Sequence, residues 1–489
     1  MQTTRRMGPG LRLLLLLIVL VVATAGVLSL FGWGPSPKVD LRAGAPGIGQ
    51  RTPLSVTVRE SARGLAGVRV VLTQNGKDEV LAQESFAPRP LWKVWGERTP
   101  ERKLDLEVGK KKQTWLANGE AVIRVEAARA GGMLRHPGPV VQELKLPVRV
   151  FPPALNLLST QTYAAQGGSE AVVYHVEPAA VRHGVEAGKY FFPGAPLPGR
   201  DGEFFVIFGI PWDMETPDTI KLFAQDALGN EARLGFVERW TPRPVGKADI
   251  RLNDPFLQKV VPEIASHRPE VGSTDDLLAA YLKINGDLRR KNDQELLELG
   301  AKSRPEFLWN QAFLPFPSGQ VMERFAARRT YFYGDKEVDH QTHLGFDLAS
   351  TQHAPVPAAN RGVVMLAGYF GIYGNTVILD HGYGLMSLYA HLSSIDVKEG
   401  QTVERGQRVG VSGATGLAGG DHLHFATLIR GLPVTPVEWW DPHWIQDRIA
   451  RKLGGALPFG RQGGAAPAAP TPAAATAGAP APAASAAPQ

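Results

Sequence analysis

The stretch GGDHLHFAT, residues 419–427, contains two histidines separated by one residue, shortly after a pair of glycines. In a β-strand, residues i and i+2 point to the same face of the sheet. If this stretch is extended, His422 and His424 project side by side into one space. The chain has only 12 histidines among 489 residues, so the pair suggests a shared chemical task. A lone H-x-H pair is also common in cross-strand packing, so other motifs must support this interpretation.

The motif THLGFDLAS, residues 342–350, contributes a second candidate pair. His343 and Asp347 are separated by three residues. Gly345 lies between them and would let the chain bend so that the two side chains converge. Because a single H-x-x-x-D spacing often arises by chance, this motif is informative only together with the others.

A third motif, LYAHLSS at residues 388–394, predicts Tyr389 and His391 on one face of a strand. The three motifs occur in order within a glycine-rich region of β character, a combination that chance does not readily explain. Not every histidine of this region needs to belong to a site, because seven of them occur there. They are His340, His343, His353, His381, His391, His422 and His424.

Imidazole nitrogen and carboxylate oxygen are good zinc ligands, and a catalytic zinc ion usually has three protein ligands and one open position. His343, Asp347 and one member of the His422/His424 pair would complete such a set. His391 and the other member of the pair would then lie beside the metal. Zinc lowers the pKa of bound water to roughly 7, and the two spare histidines could handle protons and steady the oxyanion. These motifs contain no glutamate, so histidine would act as the base.

Composition excludes several other classes of protein. The 53 basic and 47 acidic residues give a net charge of +6, which suits an anionic surface but is too diffuse to indicate nucleic-acid binding. The chain has no cysteine, so disulfide frameworks, zinc ribbons and thiolate nucleophiles are excluded.

The N-terminus predicts export. An apolar run at residues 13–31 is about as long as the ~20 residues that span a bilayer. Arg5, Arg6 and Arg12 precede it, which predicts a cytoplasmic N-terminus and an extracytoplasmic, periplasmic remainder. The small-x-small pattern at 23–25 offers the alternative of a cleaved signal peptide and a secreted protein. Because apolar residues continue past that pattern, we expect an uncleaved single-pass anchor in the inner membrane.

The next 200 residues predict β structure. Runs such as PLSVTVRE, VRVVLTQ and EFFVIFGIP alternate apolar and polar residues and are broken by Gly and Pro, which is typical of short antiparallel strands. Residues 1–38 would be the cytoplasmic stub, anchor and linker. We expect one or two immunoglobulin-like β-sandwich domains, at residues 39–150 and 151–250. His175 and His183 lie here without partners at ligand spacing, so we predict structural roles for them.

A helical connector is predicted at residues 251–312. Within it, STDDLLAAYLKINGDLRRKNDQELLEL begins with a cap candidate, Ser273 or Thr274, and we expect these helices to pack on a neighbouring domain or bridge two of them. The Ala/Pro-rich segment at residues 454–489 cannot bury a core and is predicted to be a disordered tail. The predicted fold class is mostly β.

Several segments from about Gly319 to about Pro436, roughly a quarter of the chain, carry a family resemblance. They are GQVMERFAARR, HLGFD, NTVILDHGYGLMSLYAHL, VERGQRVGVSGATG, DHLHFAT and GLPVTPVEWW. Together they resemble the lysostaphin-type, or LytM-like, zinc metallopeptidases, which hydrolyse peptide bonds in bacterial peptidoglycan. The resemblance implies a small antiparallel β fold, the duplicated hybrid motif, with a substrate groove and a peptidase domain at residues 313–445.

The resemblance also implies roles for individual residues. Zn²⁺ ligands are expected at His343, Asp347 and His424, and catalytic histidines at His391 and His422. The function implied is a membrane-tethered endopeptidase that acts on the stem peptides or cross-bridges of peptidoglycan, with protein partners unknown. Relatives that have lost metal ligands act as activators of amidases, so a non-catalytic or autoinhibited peptidoglycan-binding regulator is the alternative. A peptidase for a protein outside the cell wall is a third possibility. All five positions are occupied here, which favours an enzyme.

Overall fold

The computed structural model of the chain describes residues 8–31, 35–87 and 96–460. It begins with helix α1 (Pro9–Leu30), of which Pro9–Val27 is long and apolar enough to cross a membrane and is 0% buried. At 1.5 Å per residue the helix is about 33 Å long, close to the ~30 Å of a bilayer's hydrocarbon core. This N-terminal apolar helix is compatible with a membrane anchor and with a signal sequence.

In the described residues that follow α1, seven strands form two antiparallel sheets. They are β1 (Lys38–Ala43), β2 (Thr52–Arg59), β3 (Leu65–Gln74), β4 (Lys77–Ser85), β5 (Glu101–Val108), β6 (Gly119–Arg129) and β7 (Val140–Val148). The strand orders are β1-β2-β5 and β4-β3-β6-β7. Alternate side chains of both sheets, such as Val56 and Val70, meet in one buried core. The immunoglobulin-like topology of this region stays a prediction.

A second β region contains ten short strands. They are β8 (Leu155–Leu157), β9 (Tyr163–Ala165), β10 (Ser169–Val176), β11 (Ala180–Ala187), β12 (Tyr190–Pro193), β13 (Ala195–Pro196), β14 (Glu203–Gly209), β15 (Ile220–Asp226), β16 (Glu231–Leu234) and β17 (Arg239–Thr241). Two four-stranded sheets have the orders β13-β14-β10-β8 and β12-β11-β15-β16, and β9 pairs with β17.

The core of this second region continues into the C-terminal region. Phe205 and Trp439 belong to one continuous set of buried apolar residues. Arg243 forms an ion pair with the buried Glu438, and Lys452 pairs with the fully buried Glu170 at 2.8 Å. The second β region is therefore fixed to the C-terminal domain by both apolar packing and buried charge.

The expected boundary at residue 250 lies inside a strand. The next four strands are β18 (Lys247–Leu252), β19 (Gln320–Glu323), β20 (Ala327–Tyr333) and β21 (Lys336–His343). Strand β18 pairs in parallel with β20, which pairs with β21 in antiparallel orientation. Residues 247–250 thus belong structurally with the C-terminal domain. Local alternation could not reveal this, because the partner strand is about 80 residues away.

Three helices form a layer on the C-terminal sheet. They are α2 (Asp254–His267), α3 (Leu277–Lys283) and α4 (Arg289–Gly300). The predicted cap at Ser273 or Thr274 was wrong: Asp276 caps α3, because its side chain accepts a 3.0 Å hydrogen bond from the amide of Ala279. Apolar residues of the helices, such as Val261, pack against the sheet, so the predicted connector packs on a neighbouring domain.

The C-terminal sheet is antiparallel and contains the motifs quoted above. Its remaining strands are β22 (Phe346–Ala349), β23 (Pro355–Pro357), β24 (Gly362–Tyr369), β25 (Asn375–Gly382), β26 (Leu385–Ala390), β27 (Ser394–Ile395), β28 (Thr402–Val403), β29 (Arg408–Val411), β30 (Leu423–Ile429) and β31 (Leu432–Val434). The main strand order is β19-β22-β30-β26-β25-β24-β28, with β31 beside β30, and β23-β29-β27 form a small second sheet.

Short helices end the described chain: α5 (Val437–Trp440), α6 (Pro442–Ile445) and α7 (Arg451–Leu453). The start of the predicted disordered tail is ordered, because Leu457 is only 1% exposed and Phe459 packs against the same core. Leu457 and Phe459 are large apolar residues that can pack in a core, whereas the Ala/Pro-rich sequence after them offers few such side chains. The rest of the predicted tail, residues 461–489, lies outside the described residues.

Candidate metal centre

Three side chains predicted as ligands converge on one point. Nε2 of His343 lies 2.9 Å from Oδ1 of Asp347 and 3.0 Å from Nδ1 of His424, and these last two atoms are 2.9 Å apart. All three residues are buried. In the described part of the chain, these three residues form a group whose ligand atoms are close enough together to hold one metal ion.

Strand pairing brings these residues together. Asp347 of β22 lies directly opposite His424 of β30, and His343 ends β21 just before β22 begins. Gly345 lies in the connection, but its backbone is outside the left-handed region. A Cβ at this position would lie 2.5 Å from Cε1 and Nε2 of His424. Glycine is therefore needed for close approach to the imidazole, a different reason from the bend that the sequence suggested.

The donor set fits zinc. Nδ1 of His343 donates to the carbonyl of Arg324 at 3.3 Å, which leaves the lone pair on Nε2 facing the other two donors. A tetrahedral zinc ion with bonds of about 2.0–2.1 Å holds its ligand atoms about 3.3 Å apart, close to the 2.9–3.0 Å seen here. Two imidazoles and one carboxylate suit zinc better than Ca²⁺ or Mg²⁺, which prefer oxygen ligands.

The other two predicted histidines lie beside this set. The ring centroids of His391 and His422 are 4.8 Å apart, and Nε2 of His422 is 3.6 Å from Oδ1 of Asp347. Nδ1 of His391 donates to the carbonyl of Thr415 at 2.8 Å, and Nδ1 of His422 donates to the carbonyl of Gly420 at 2.9 Å. Because a carbonyl can only accept, Nε2 of each ring is the atom left to exchange protons.

His391 reaches the site by a different route from the one predicted. Strand β26 ends at Ala390, and Tyr389 packs against Phe425 on the face opposite to His424. A continued strand would have pointed residue 391 to the face of Tyr389. Instead, His391 has a φ of 62°, which turns its ring towards His424. The prediction that Tyr389 and His391 share a strand face was therefore wrong.

Burial and charge set the protonation states of these groups. Burial alone would raise the pKa of Asp347, but the surrounding histidines, His343 first, hold it well below its ordinary value. Burial lowers the pKa of His424 to about 4 and lowers that of His391 well below its ordinary value. Burial also opposes protonation of His422, but the carboxylate of Asp347, 3.6 Å from Nε2, outweighs this and raises the pKa of His422. An ionised carboxylate and a neutral His424 are the forms that bind zinc.

The other histidines of the region have structural partners. His381 is fully buried, bonds to the carbonyl of Arg361 and to Oγ of Ser387 at 2.7 Å each, and burial lowers its pKa to about 4. His340 is exposed and bonds to Glu337, while the backbone amide of His353 donates to Asp421. His175 lies on β10 and His183 on β11, in the second β region.

Sequence reasoning missed an arginine that orients a ligand. Nη2 of Arg329 donates to Oδ2 of Asp347 at 2.8 Å, and Arg329 is itself held by Glu323. With Oδ2 engaged, Oδ1 is the oxygen presented to the metal position. Arg329 lies two residues from Ala327, which pairs with His343, so strand alternation places it near the site. Without knowledge of that pairing, the sequence does not indicate which of Arg328 and Arg329 faces the site.

We expect Arg329→Met to weaken zinc binding about 10- to 100-fold, because groups that orient metal ligands typically contribute that much. Competition with a chromogenic chelator measures the effect. The control is Arg328→Met, since Arg328 is exposed on the same strand. Equal zinc affinity in both variants would contradict the orienting role.

Helix α2 holds the loop that positions His391. Nζ of Lys259 donates to the carbonyls of Ala414 and Ala418 at 3.0 and 3.2 Å. One turn later, Oε1 of Glu263 accepts from the amide of Gly416 at 2.8 Å. The carbonyl of Thr415, which accepts from His391, lies between these contacts. The helix therefore fixes the carbonyl that orients the histidine.

We expect Lys259→Met to lower kcat about tenfold, the equivalent of ~1.4 kcal/mol, because the loop would lose two charged hydrogen bonds. Bound zinc should not change, since Lys259 contacts no ligand. The control is Gln258→Met on the exposed face of the same helix. Steady-state kinetics together with metal analysis test this, and a change in zinc content without a change in kcat would contradict it.

Comparison with known proteins matches the part of the chain that contains these residues. The model of peptidase family M23 matches residues 341–436, the segment that contains all five site residues. Residues 341–436 form a peptidase family M23 domain. The predicted lysostaphin-type resemblance is thereby confirmed.

Two relatives of the M23 domain have names that describe peptidases. The chain is 33% identical over 161 residues to the peptidoglycan DD-endopeptidase ShyA of Vibrio cholerae serotype O1, a match covering 33% of this chain and 34% of that protein. It is 44% identical over 95 residues to the DD-carboxypeptidase/endopeptidase Mpg of Neisseria meningitidis serogroup B, covering 19% and 22%. The chain thus spans about a third or less of these relatives. The crystallised catalytic domain of lysostaphin from Staphylococcus simulans is 27% identical, with a TM-score of 0.22 and coverage of 25% of this chain and 92% of that chain.

Proposed function

We propose that the chain is a zinc-dependent endopeptidase that hydrolyses peptide bonds in the stem peptides or cross-bridges of peptidoglycan. The observation that carries this proposal is the convergence of three ligand atoms within 3.0 Å of one another, with two further histidines beside them. A cavity of about 610 Å³ contains all five side chains and is large enough for part of a peptide. The names of the relatives supply the substrate class.

The two histidines outside the ligand set would move protons. Zn²⁺ held by His343, Asp347 and His424 would supply Lewis-acid activation of water and of the scissile carbonyl. His391 and His422 each have Nδ1 bonded to a backbone carbonyl, which fixes the ring and leaves Nε2 towards the cavity. One Nε2 can accept a proton from water while the other donates one to the leaving amine.

We also propose that α1 anchors the chain in the inner membrane with the M23 domain in the periplasm. The apolar length of α1 supports this, and a peptidoglycan substrate requires an extracytoplasmic site. Secretion after cleavage of a signal sequence is the alternative. Mass spectrometry of the mature N-terminus in a membrane fraction separates the two, because an anchor leaves residues 9–30 attached.

The second candidate function is a peptidoglycan-binding regulator. It is favoured by the walls of the cavity, because β18 and α2 contribute the apolar residues Ile250, Leu252 and Phe256 to the same cavity as the ligand set. Such a wall could hold a peptide without allowing its hydrolysis.

Incubation of the full chain with purified sacculi, with and without a chelator, tests both functions. The expected result is release of peptide fragments, identified by mass spectrometry, that stops when metal is removed and returns when zinc is added. Binding to sacculi without release would favour the regulator. Release that resists chelation would contradict zinc dependence.

A further inference from the structure

The cavity at the metal centre is also lined by two charged residues that the proposed chemistry does not use. Arg289 and Asp293 both lie on α4 and both face this cavity. They are four residues apart, so their side chains lie on the same side of the helix. Both are partly buried. A cation and an anion are thus placed together in a space that already holds the candidate catalytic groups.

Arg289 is held in position with part of its guanidinium unused. Its Nε donates to the carbonyl of Asn285 at 3.1 Å, and its Nη2 donates to Oδ1 of Asn285 at 2.6 Å. Asn285 is fully buried and bonds in turn to Asp339 at 2.7 Å. Within the described ranges, Nη1 of Arg289 makes no hydrogen bond. The planar fork is therefore oriented in advance, with one nitrogen available to a carboxylate.

Asp293 does not neutralise Arg289 directly. No ion pair within 4.0 Å joins them in the part of the chain that the structure describes, although residues four apart on a helix commonly form one. Asp293 likewise has no hydrogen-bond partner among those residues. Burial raises the pKa of its carboxyl group more than the charges of Arg289 and Lys189 lower it, and a bound cation would further oppose this effect. Two partly buried opposite charges that are kept apart leave room for a ligand that carries both.

We propose that Arg289 and Asp293 bind an amino-acid head group of the substrate, with the carboxylate on Arg289 and the ammonium on Asp293. A diamino diacid in a peptidoglycan stem carries such a group at the end of its side chain, with both charges on one carbon. A phosphate or sulfate would be repelled by Asp293, and a lone carboxylate would satisfy Arg289 only. Tyr281 and Tyr373 line the same cavity and can pack against the aliphatic part of the side chain. This assignment rests on the proposed function, because it takes the ligand to be a wall peptide.

The test is peptide binding to the full-length His391→Ala protein, which is expected not to consume the peptide. The probes are a stem tripeptide that ends in diaminopimelate, its side-chain carboxamide and its side-chain N-acetyl derivative. Isothermal titration should show about tenfold weaker binding of each modified peptide. Arg289→Met should weaken binding of the parent peptide about tenfold and remove the effect of the carboxamide. Asp293→Asn should likewise weaken binding of the parent peptide about tenfold, and it should remove the effect of N-acetylation.

Arg290→Met is the control, because Arg290 is exposed, pairs with Asp287 and does not line the cavity. Metal-depleted wild-type protein repeats the measurement if His391→Ala does not fold, as judged by circular dichroism. Equal penalties for the modified peptides in Arg289→Met and the control would overturn the proposal. Cleavage of sacculi without any dependence of binding on these charges would leave the proposed function standing and remove this site. Charge-dependent binding without cleavage would support this site and contradict the proposed hydrolysis.

Discussion

Replacing His391 with alanine is expected to lower peptidoglycan hydrolysis about 10²- to 10⁴-fold, the usual contribution of a general acid or base. The imidazole is held by the carbonyl of Thr415 with Nε2 towards the cavity, so alanine would remove a fixed proton-transfer group. Bound zinc should stay nearly unchanged, because His391 is not one of the three converging ligands. Release of fragments from sacculi gives the activity, and metal analysis of the same sample gives the zinc content.

The control for this prediction is His353→Ala in the same domain. The side chain of His353 is 59% exposed and lies outside the cavity, so activity and zinc should both match the wild type. Loss of activity in His391→Ala with zinc retained would show that His391 acts in catalysis and is not a metal ligand. If zinc fell as far as activity in His391→Ala, the division between ligands and proton-transfer groups would be wrong.

Local sequence patterns predicted which side chains share a face, whereas the pairing of distant strands could not be predicted from them. The i, i+2 rule predicted that His422 and His424 share a face, and the structure places both beside Asp347. The role of each histidine could not follow from spacing alone, because it depends on which strand lies opposite. The register of Asp347 with His424 supplies that information, and it joins residues 77 positions apart.

The same limit explains what the sequence did not predict. The parallel pairing of β18 with β20 moves residues 247–250 to the C-terminal domain, and no short pattern indicates a partner so far along the chain. Arg329 becomes an orienting residue only because β20 pairs with β21 next to His343. The turn at His391 is a left-handed conformation of a non-glycine residue, which strand alternation cannot anticipate. The β18–β20 pairing, the role of Arg329 and the turn at His391 all lie at the candidate site and depend on tertiary structure.

The buried charges between the second β region and the C-terminal domain show this most clearly. Arg243 and Glu438 are 195 residues apart, and in the sequence each looks like an ordinary surface residue. In the structure Glu438 is 5% exposed and also accepts from the amide of Ser169 at 2.7 Å. Such a pair makes one folded unit of two segments that composition and periodicity assign to separate domains.

Gly345→Ala is expected to weaken zinc binding and hydrolysis together, unlike His391→Ala. The added Cβ would lie 2.5 Å from two ring atoms of His424 and 2.9 Å from the carbonyl of Phe425. His424 is only 6% exposed and its ring packs against His343, so it cannot move aside without losing its place in the ligand set. Because the three ligands bind as a unit, displacement of one should lower zinc affinity by tenfold or more.

The control for Gly345→Ala is Gly368→Ala in β24, where a Cβ would meet nothing within 4 Å and the backbone is not left-handed. Zinc titration and fragment release should give wild-type values for that variant, and circular dichroism should show that both variants are folded. A folded Gly345→Ala protein with unchanged zinc affinity would mean that the buried imidazole of His424 can move to accommodate the added Cβ and still bind zinc. In that case the three-ligand geometry on which the proposed hydrolysis depends would not be the one that binds the metal.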